Sequence, residues 1–152
     1  MIFSHGCPFI ADASDVEMKL VADHGFRAIA HDRRGHGRSS QTWDGNDMGT
    51  YAADLAALID GLDLNEIIYV GHSTGGGEVV RYAARQVATE SPPIVTAGAV
   101  PPNMVKSEAN PEGTPIEAFD DIRAAVLADR SQFYRDLSVA FFGTNREGST
   151  IS

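Results

Sequence analysis

Apolar and polar positions change period repeatedly along the first hundred residues. A short apolar run at 1–4 reads as a strand, and His5-Gly6-Cys7-Pro8 turns out of it. Between 13 and 23 the residues Val16, Leu20 and Val21 recur at helical spacing and predict one buried face. Gly25 closes that helix, and 26–30 predict a second strand. The segment 31–40 is polar and glycine-rich. Asn46 or Asp47 then caps a helix whose Met48, Tyr51, Leu55, Leu58, Ile59 and Leu62 form one stripe. A third strand precedes Gly71. Residues 78–87 predict a helix with Val79, Val80, Ala83, Ala84 and Val87 inward, and 94–100 a fourth strand. Strand and helix alternating at this spacing mean parallel strands joined by right-handed crossovers, the α/β class.

After Pro101-Pro102 the character changes. Residues 103–113 are irregular. Two short helices are expected at 115–128 and 131–142, carrying Ile116, Phe119, Ile122, Val126, Phe133, Leu137 and Phe141. The expected organisation is an α/β core over 1–100, a small helical cap over 101–142 at the carboxyl edge of the sheet, and a flexible tail over 143–152.

The chemistry concentrates at Ile67-Ile68-Tyr69-Val70-Gly71-His72-Ser73-Thr74-Gly75-Gly76-Gly77. An apolar strand runs into G-x-S-x-G and then into a helix, the pattern of a nucleophile elbow. A serine on so tight a turn is forced towards unfavourable backbone angles. Gly71 and Gly75 remove β-carbons that would collide with the turn, and the helix aims free N–H groups at the site. The pentapeptide alone is weak evidence, because a helix-capping serine on a glycine-rich turn would look the same. The flanking strand and helix strengthen it. No Lys-Ser/Thr follows the glycines, so a phosphate loop is rejected.

Composition narrows the field. The chain has 152 residues, a formal charge of -9, one cysteine and 43% hydrophobic residues. Its acidic balance argues against nucleic acid or an anionic membrane as partner. One cysteine excludes an internal disulfide and a cysteine-rich zinc site. No apolar run reaches the roughly 20 residues of a membrane span. No basic leader precedes the apolar start, and a cytoplasmic protein is expected.

Four motifs in order resemble the cofactor-free haloperoxidase, perhydrolase and aryl esterase group of the α/β-hydrolase fold. They are Phe3-Ser4-His5-Gly6, His31-Asp32-Arg33-Arg34-Gly35-His36-Gly37-Arg38-Ser39, Gly71-His72-Ser73-Thr74-Gly75-Gly76-Gly77-Glu78 and Ala99-Val100-Pro101-Pro102. Ala128-Asp129-Arg130-Ser131-Gln132-Phe133-Tyr134 in the cap is also similar. The resemblance implies hydrolysis of small esters, with hydrogen peroxide able to replace water as acyl acceptor and give peracids. The expected partner is a small ester or carboxylic acid, and no metal or organic cofactor is implied. Ser73 would attack the acyl carbon, and the backbone N–H groups of Cys7 and Thr74 would form the oxyanion hole. His5 would shape the oxyanion turn and line the pocket, and Met104, after Pro101-Pro102, would either line the pocket with it or simply pack within the cap. Cys7 stands where the group usually has a large aromatic residue, which opens that wall of the acyl pocket.

In this fold the triad acid and histidine follow the serine on later strands. The resemblance therefore implies a truncated α/β-hydrolase fold, beginning within the family's third strand and ending in or just after the cap. Its sheet has four strands in the order second, first, third, fourth. None of the five histidines is a convincing substitute base. His72 should leave the elbow on the opposite side from Ser73. His31 and His36 follow a strand two spacings, roughly 10 Å, from the elbow. His24 belongs at a helix end on the surface. The 32–39 loop reads as a brace in which Asp32 and the arginines pair with one another and with loop backbone. Two functions are thus expected. The first is a serine hydrolase; the alternative is an inactive remnant or interaction module whose exposed strand edge favours a homo-oligomer.

Overall fold

The computed structural model of the chain describes residues 1–86, 92–100 and 103–150. It divides into two compact units, Met1–Pro102 and Asn103–Ser152. In the first unit, β1 (Ile2–Ser4), β2 (Ile29–His31), β3 (Tyr69–His72) and β4 (Ile94–Ala97) form a parallel sheet in the order β2-β1-β3-β4. Ile2 is in register with Ile29 on one side and Tyr69 on the other, and Tyr69 with Ile94. This is the architecture and strand order expected from the sequence.

Two helices, α2 (Met48–Gly61) and α3 (Thr74–Gln86), pack on each other and on the central strands. Ile2, Leu55, Ile59, Tyr69 and Val79 form the buried core between sheet and helices. Burying a side chain of this size contributes about 1.5–3 kcal/mol. The α2 stripe is legible in the sequence as far as Ile59, while Leu62 is exposed. Asp47 is the N-cap, accepting from the N–H groups of Gly49 (2.8 Å) and Thr50 (3.1 Å). It thereby satisfies two of the orphan donors at the helix start.

Several expectations are corrected. The first helix is a 3-10 turn, Ala11–Ser14, followed by α1 (Asp15–Asp23). No residue of α1 is buried: Val16 and Leu20 are exposed and only Val21 of that predicted face is half-buried. The strand expected at 26–30 begins only at Ile29. Gly25 takes a left-handed φ of 86° and the Phe26 N–H bonds back to the Val21 carbonyl, so the helix end holds Phe26 away from the sheet. In α3, Val79 is buried but Val80 and Ala84 are exposed, and the predicted inward Val87 lies outside the described residues. The helix also starts four residues earlier than expected, directly after Ser73. The fourth strand stops at Ala97, where Gly98 turns with φ 51°.

The second unit contains α4 (Ile116–Ala128) and α5 (Arg130–Phe142), close to the helices expected there, and they pack on each other. Asp129 ends one helix and caps the next, its carboxylate accepting from the Gln132 N–H at 2.9 Å. The preceding segment is more ordered than its composition suggests. Val105 bridges Thr114, and the Asn110 side-chain amide donates to the Asn103 carbonyl at 2.8 Å. Residues 101–102 and 151–152, within the expected cap and tail, lie outside the described residues.

Candidate active site

Ser73 is the single residue between β3 and α3, and its φ is +51°. Only a few per cent of non-glycine residues adopt such an angle. Surrounding hydrogen bonds hold it. The Ser73 N–H donates to the Ala97 carbonyl (3.0 Å), and its carbonyl accepts from Gly76 (3.0 Å) and Val100 (2.9 Å). The glycines permit the close approach this requires. A β-carbon on Gly71 would sit 2.5 Å from the Gly75 oxygen, and one on Gly75 would sit 2.0 Å from the Ser4 carbonyl oxygen. Gly75 thus spares a contact with β1, not with the elbow turn. A β-carbon on Gly6 would lie 2.8 Å from the Ser73 β-carbon, so the turn after β1 runs directly beside the serine.

The two turns are joined by a hydrogen bond from the Cys7 N–H to Thr74 Oγ1, 2.9 Å. Behind them lies a buried polar network. Arg33 is nearly inaccessible and pairs with Glu78, equally buried on α3, through Nε and Nη2, each 2.8 Å from Oε2. Nη2 also donates to the His5 carbonyl (2.7 Å) and Nη1 to Thr74 Oγ1 (3.2 Å), while the guanidinium lies over the Tyr51 ring at 4.8 Å. His31 Nε2 approaches Glu78 Oε1 at 3.2 Å.

His5 is buried. The Arg33 N–H, which can only donate, points at His5 Nε2 (3.1 Å), so the ring proton is on Nδ1 and donates to the Gly6 carbonyl (2.9 Å). Burial, reinforced by the nearby Arg33 charge, pushes the His5 pKa down to about 4 despite the Gly6 bond that favours the charged form. The 32–39 loop braces itself only partly. Burial pulls the Asp32 carboxyl up, but the N–H groups of Ala11 and Arg38 and the Arg38 charge outweigh it and hold the pKa below its usual value. Arg33 and Arg34 correct the brace reading by reaching out of the loop, to Glu78 and to Asp54.

The family model for the alpha/beta hydrolase fold matches residues 1–146. The chain belongs to the α/β-hydrolase fold family. A non-heme chloroperoxidase of Streptomyces lividans is 55% identical over the whole chain, which covers 55% of that protein. A bifunctional esterase/perhydrolase of Acinetobacter calcoaceticus is 48% identical, again over the whole chain and 55% of the relative. The crystal structure of a bromoperoxidase from Bacillus anthracis superposes with a TM-score of 0.88 at 34% identity, covering 99% of this chain and 55% of that one. This α/β-hydrolase chain spans about half the length of the relatives it matches.

Within this α/β-hydrolase the sequence-selected residues Cys7, His5, Gly71, Ser73, Thr74 and Gly75 come together at one end of the sheet. Met104 belongs to the second unit, where its carbonyl accepts from the Thr114 N–H. The described histidines are engaged elsewhere than at the Ser73 hydroxyl: His24 with the Leu20 carbonyl, His36 with the Arg34 carbonyl and the His5 ring, and His72 beside the Phe9 ring. Among the described residues no group of three or more His, Cys, Asp or Glu could hold a metal ion, and no helix is long and apolar enough to cross a membrane. Sequence reasoning missed Glu78 and the reach of Arg33. The available signal was spacing: Glu78 stands four residues after Thr74 and three after Gly75, on the helix face that the glycines bring against β1.

Proposed function

We propose that the protein is a serine hydrolase transferring acyl groups from small esters through Ser73, with hydrogen peroxide able to replace water as acceptor. The observation that carries this reading is Ser73 held at φ +51° between strand and helix, with the Cys7 turn hydrogen-bonded beside it. The esterase/perhydrolase and chloroperoxidase relatives support the same reaction class.

Ser73 Oγ attacks the acyl carbon as its proton passes to a base. The carbonyl oxygen becomes an oxyanion that receives the N–H groups of Cys7 and Thr74. The first N–H groups of a helix have no partner within it, which leaves the Thr74 N–H suited to this role. The Cys7 N–H is engaged by Thr74 Oγ1 and must be shared with or transferred to the oxyanion. The ester C–O bond then breaks and the alcohol leaves with the proton. Water or peroxide attacks the acyl-enzyme, giving the acid or the peracid and regenerating Ser73. The base and its carboxylate belong to the later strands of the fold, where this family places them after the serine. His5 is unsuited to the role, since both its ring nitrogens are committed.

The test compares the product of the whole reading frame encoding this chain with its Ser73→Ala variant. Hydrolysis of a small nitrophenyl ester, and peracid formation when peroxide is added, are expected to disappear in the variant. Turnover that survives Ser73→Ala overturns the reading, and an inactive parent supports the remnant instead.

A further inference from the structure

The Thr74 side chain sits between the two turns of the site in an arrangement that the two backbone donors do not explain. Its hydroxyl oxygen accepts from the Cys7 N–H at 2.9 Å and from Arg33 Nη1 at 3.2 Å. A hydroxyl has two acceptor positions and one proton. Both acceptor positions are taken by groups that can only donate, so the proton is directed away from both. Among the described residues no acceptor is hydrogen-bonded to it. The oxygen is thus fixed beside the Cys7 N–H while its proton remains available.

Arg33 fixes that oxygen rigidly. The guanidinium is held by Glu78 Oε2, by the His5 carbonyl and against the Tyr51 ring, with its side chain almost inaccessible. A donor bearing positive charge polarises the hydroxyl it bonds and strengthens that hydroxyl as a donor in turn. Side-chain hydroxyls serve as oxyanion donors when they are preorganised in this way.

We propose that the Thr74 hydroxyl is a third oxyanion donor, beside the N–H groups of Cys7 and Thr74, and that Arg33 is the positioning residue that orients it. This rests on Ser73 acting as the nucleophile. As the acyl oxygen gains charge, the Thr74 O–H turns to it, and the Cys7 N–H shifts from Thr74 Oγ1 to the same oxygen. Thr74 is then a catalytic residue, whereas Arg33 acts only through it. The rival explanation is that the hydroxyl merely satisfies the Cys7 N–H while the site is empty.

The experiment uses the product of the whole reading frame carrying Thr74→Ser, Thr74→Val and Arg33→Lys, with Thr74→Val/Arg33→Lys and Ser73→Ala as references. It measures kcat and KM for a small nitrophenyl ester, inhibition by an alkyl boronic acid that forms a tetrahedral adduct, and thermal midpoints. Thr74→Ser is expected to stay within about threefold of the parent. Thr74→Val is expected to lose on the order of 10–100-fold in kcat, and a similar factor in boronate affinity, with KM little changed. A purely structural loss would not follow the boronate in this way. Arg33→Lys is expected to lower kcat in the Thr74 background and to add little in the Thr74→Val background. Thr74→Val matching or exceeding Thr74→Ser overturns the proposal, and an undiminished Arg33→Lys effect in the double variant overturns the part assigned to Arg33. Should Arg33→Lys fail to fold, the Thr74 pair decides alone. Parent turnover independent of Ser73 would sink the functional reading itself and this inference with it. Ser73-dependent turnover with an innocuous Thr74→Val sinks only this inference.

Discussion

Two strand ends on either side of β1 solve the same problem by opposite means. After β3 the chain must reverse into a helix while presenting Ser73, and it does so almost without side chains: Gly71 and Gly75 let backbone meet backbone at distances no β-carbon would allow, and Gly76 leaves room for the Ala99 methyl group. After β2 the chain wanders through 32–40 and is held by charge. Asp32 gathers the N–H groups of Ala11 (2.7 Å) and Arg38 (2.8 Å), Arg34 reaches Asp54, and Arg33 reaches Glu78. The first turn is defined by what must be absent, the second by which partners must be present. An added methyl group is therefore the sharper injury at the elbow, and a lost charge at the loop. The loop's own sensitivity is uneven, because Arg38 is largely exposed whereas Arg33 is buried.

The largest effect is expected from Gly75→Ala. Its new β-carbon would sit 2.0 Å from the Ser4 oxygen, which is backbone and cannot rotate aside, so β1 and α3 must part. Denaturant titration should show a loss above about 4 kcal/mol or no folded protein at all. A loss below about 1 kcal/mol would break the steric half of the comparison. Arg33→Met tests the other half. It strands the Glu78 carboxylate in the interior and should cost about 3–5 kcal/mol by the same titration. Adding Glu78→Leu should recover a substantial part of that loss, since the unpaired charge is then gone. If Arg33→Met costs no more than an exposed pair, below about 1 kcal/mol, the loop is not organised by its buried charge.

A smaller effect concerns pH. His5 has a folded pKa of about 4 against an ordinary value of 6.5. Between these values the unfolded chain binds a proton that the folded chain refuses, so stability rises with pH across this window. On acidification the His5 contribution is lost progressively from about pH 6.5 down to 4, amounting to about 2–3 kcal/mol. Burial is the main cause, and a proton on Nε2 would in addition face the Arg33 N–H. Unfolding free energies at pH 7 and pH 4.5 should differ less in His5→Gln than in the parent. An equal difference would remove His5 from the account.

What was legible in the sequence follows the same division. The elbow is written locally, because a glycine-serine-glycine turn between a β-branched strand and a helix has few other reasons to exist. Strand alternation is likewise local, and so is the cap, narrowed to Asn46 or Asp47, whereas the strand order followed from the family resemblance. The Arg33–Glu78 pair was not legible. Its members are 45 residues apart and meet only because β2 ends, and α3 begins, beside the end of β1. The same distance in sequence hid the second role of Thr74, whose backbone was singled out while its hydroxyl was overlooked. Apolar spacing also overreached in α1, since Val16 and Leu20 have helical periodicity but stay largely exposed. Periodicity states which face a helix offers, and the sheet decides whether that face is taken.

The central claim is that the glycine-built elbow presents a working nucleophile. The most direct measurement is intact mass, followed by peptide mapping, after treating the product of the whole reading frame with a fluorophosphonate. The account predicts a single phosphonyl adduct on Ser73, formed rapidly and absent from both Ser73→Ala and heat-unfolded protein. A folded protein that gains no adduct, or gains one at another residue, would contradict it.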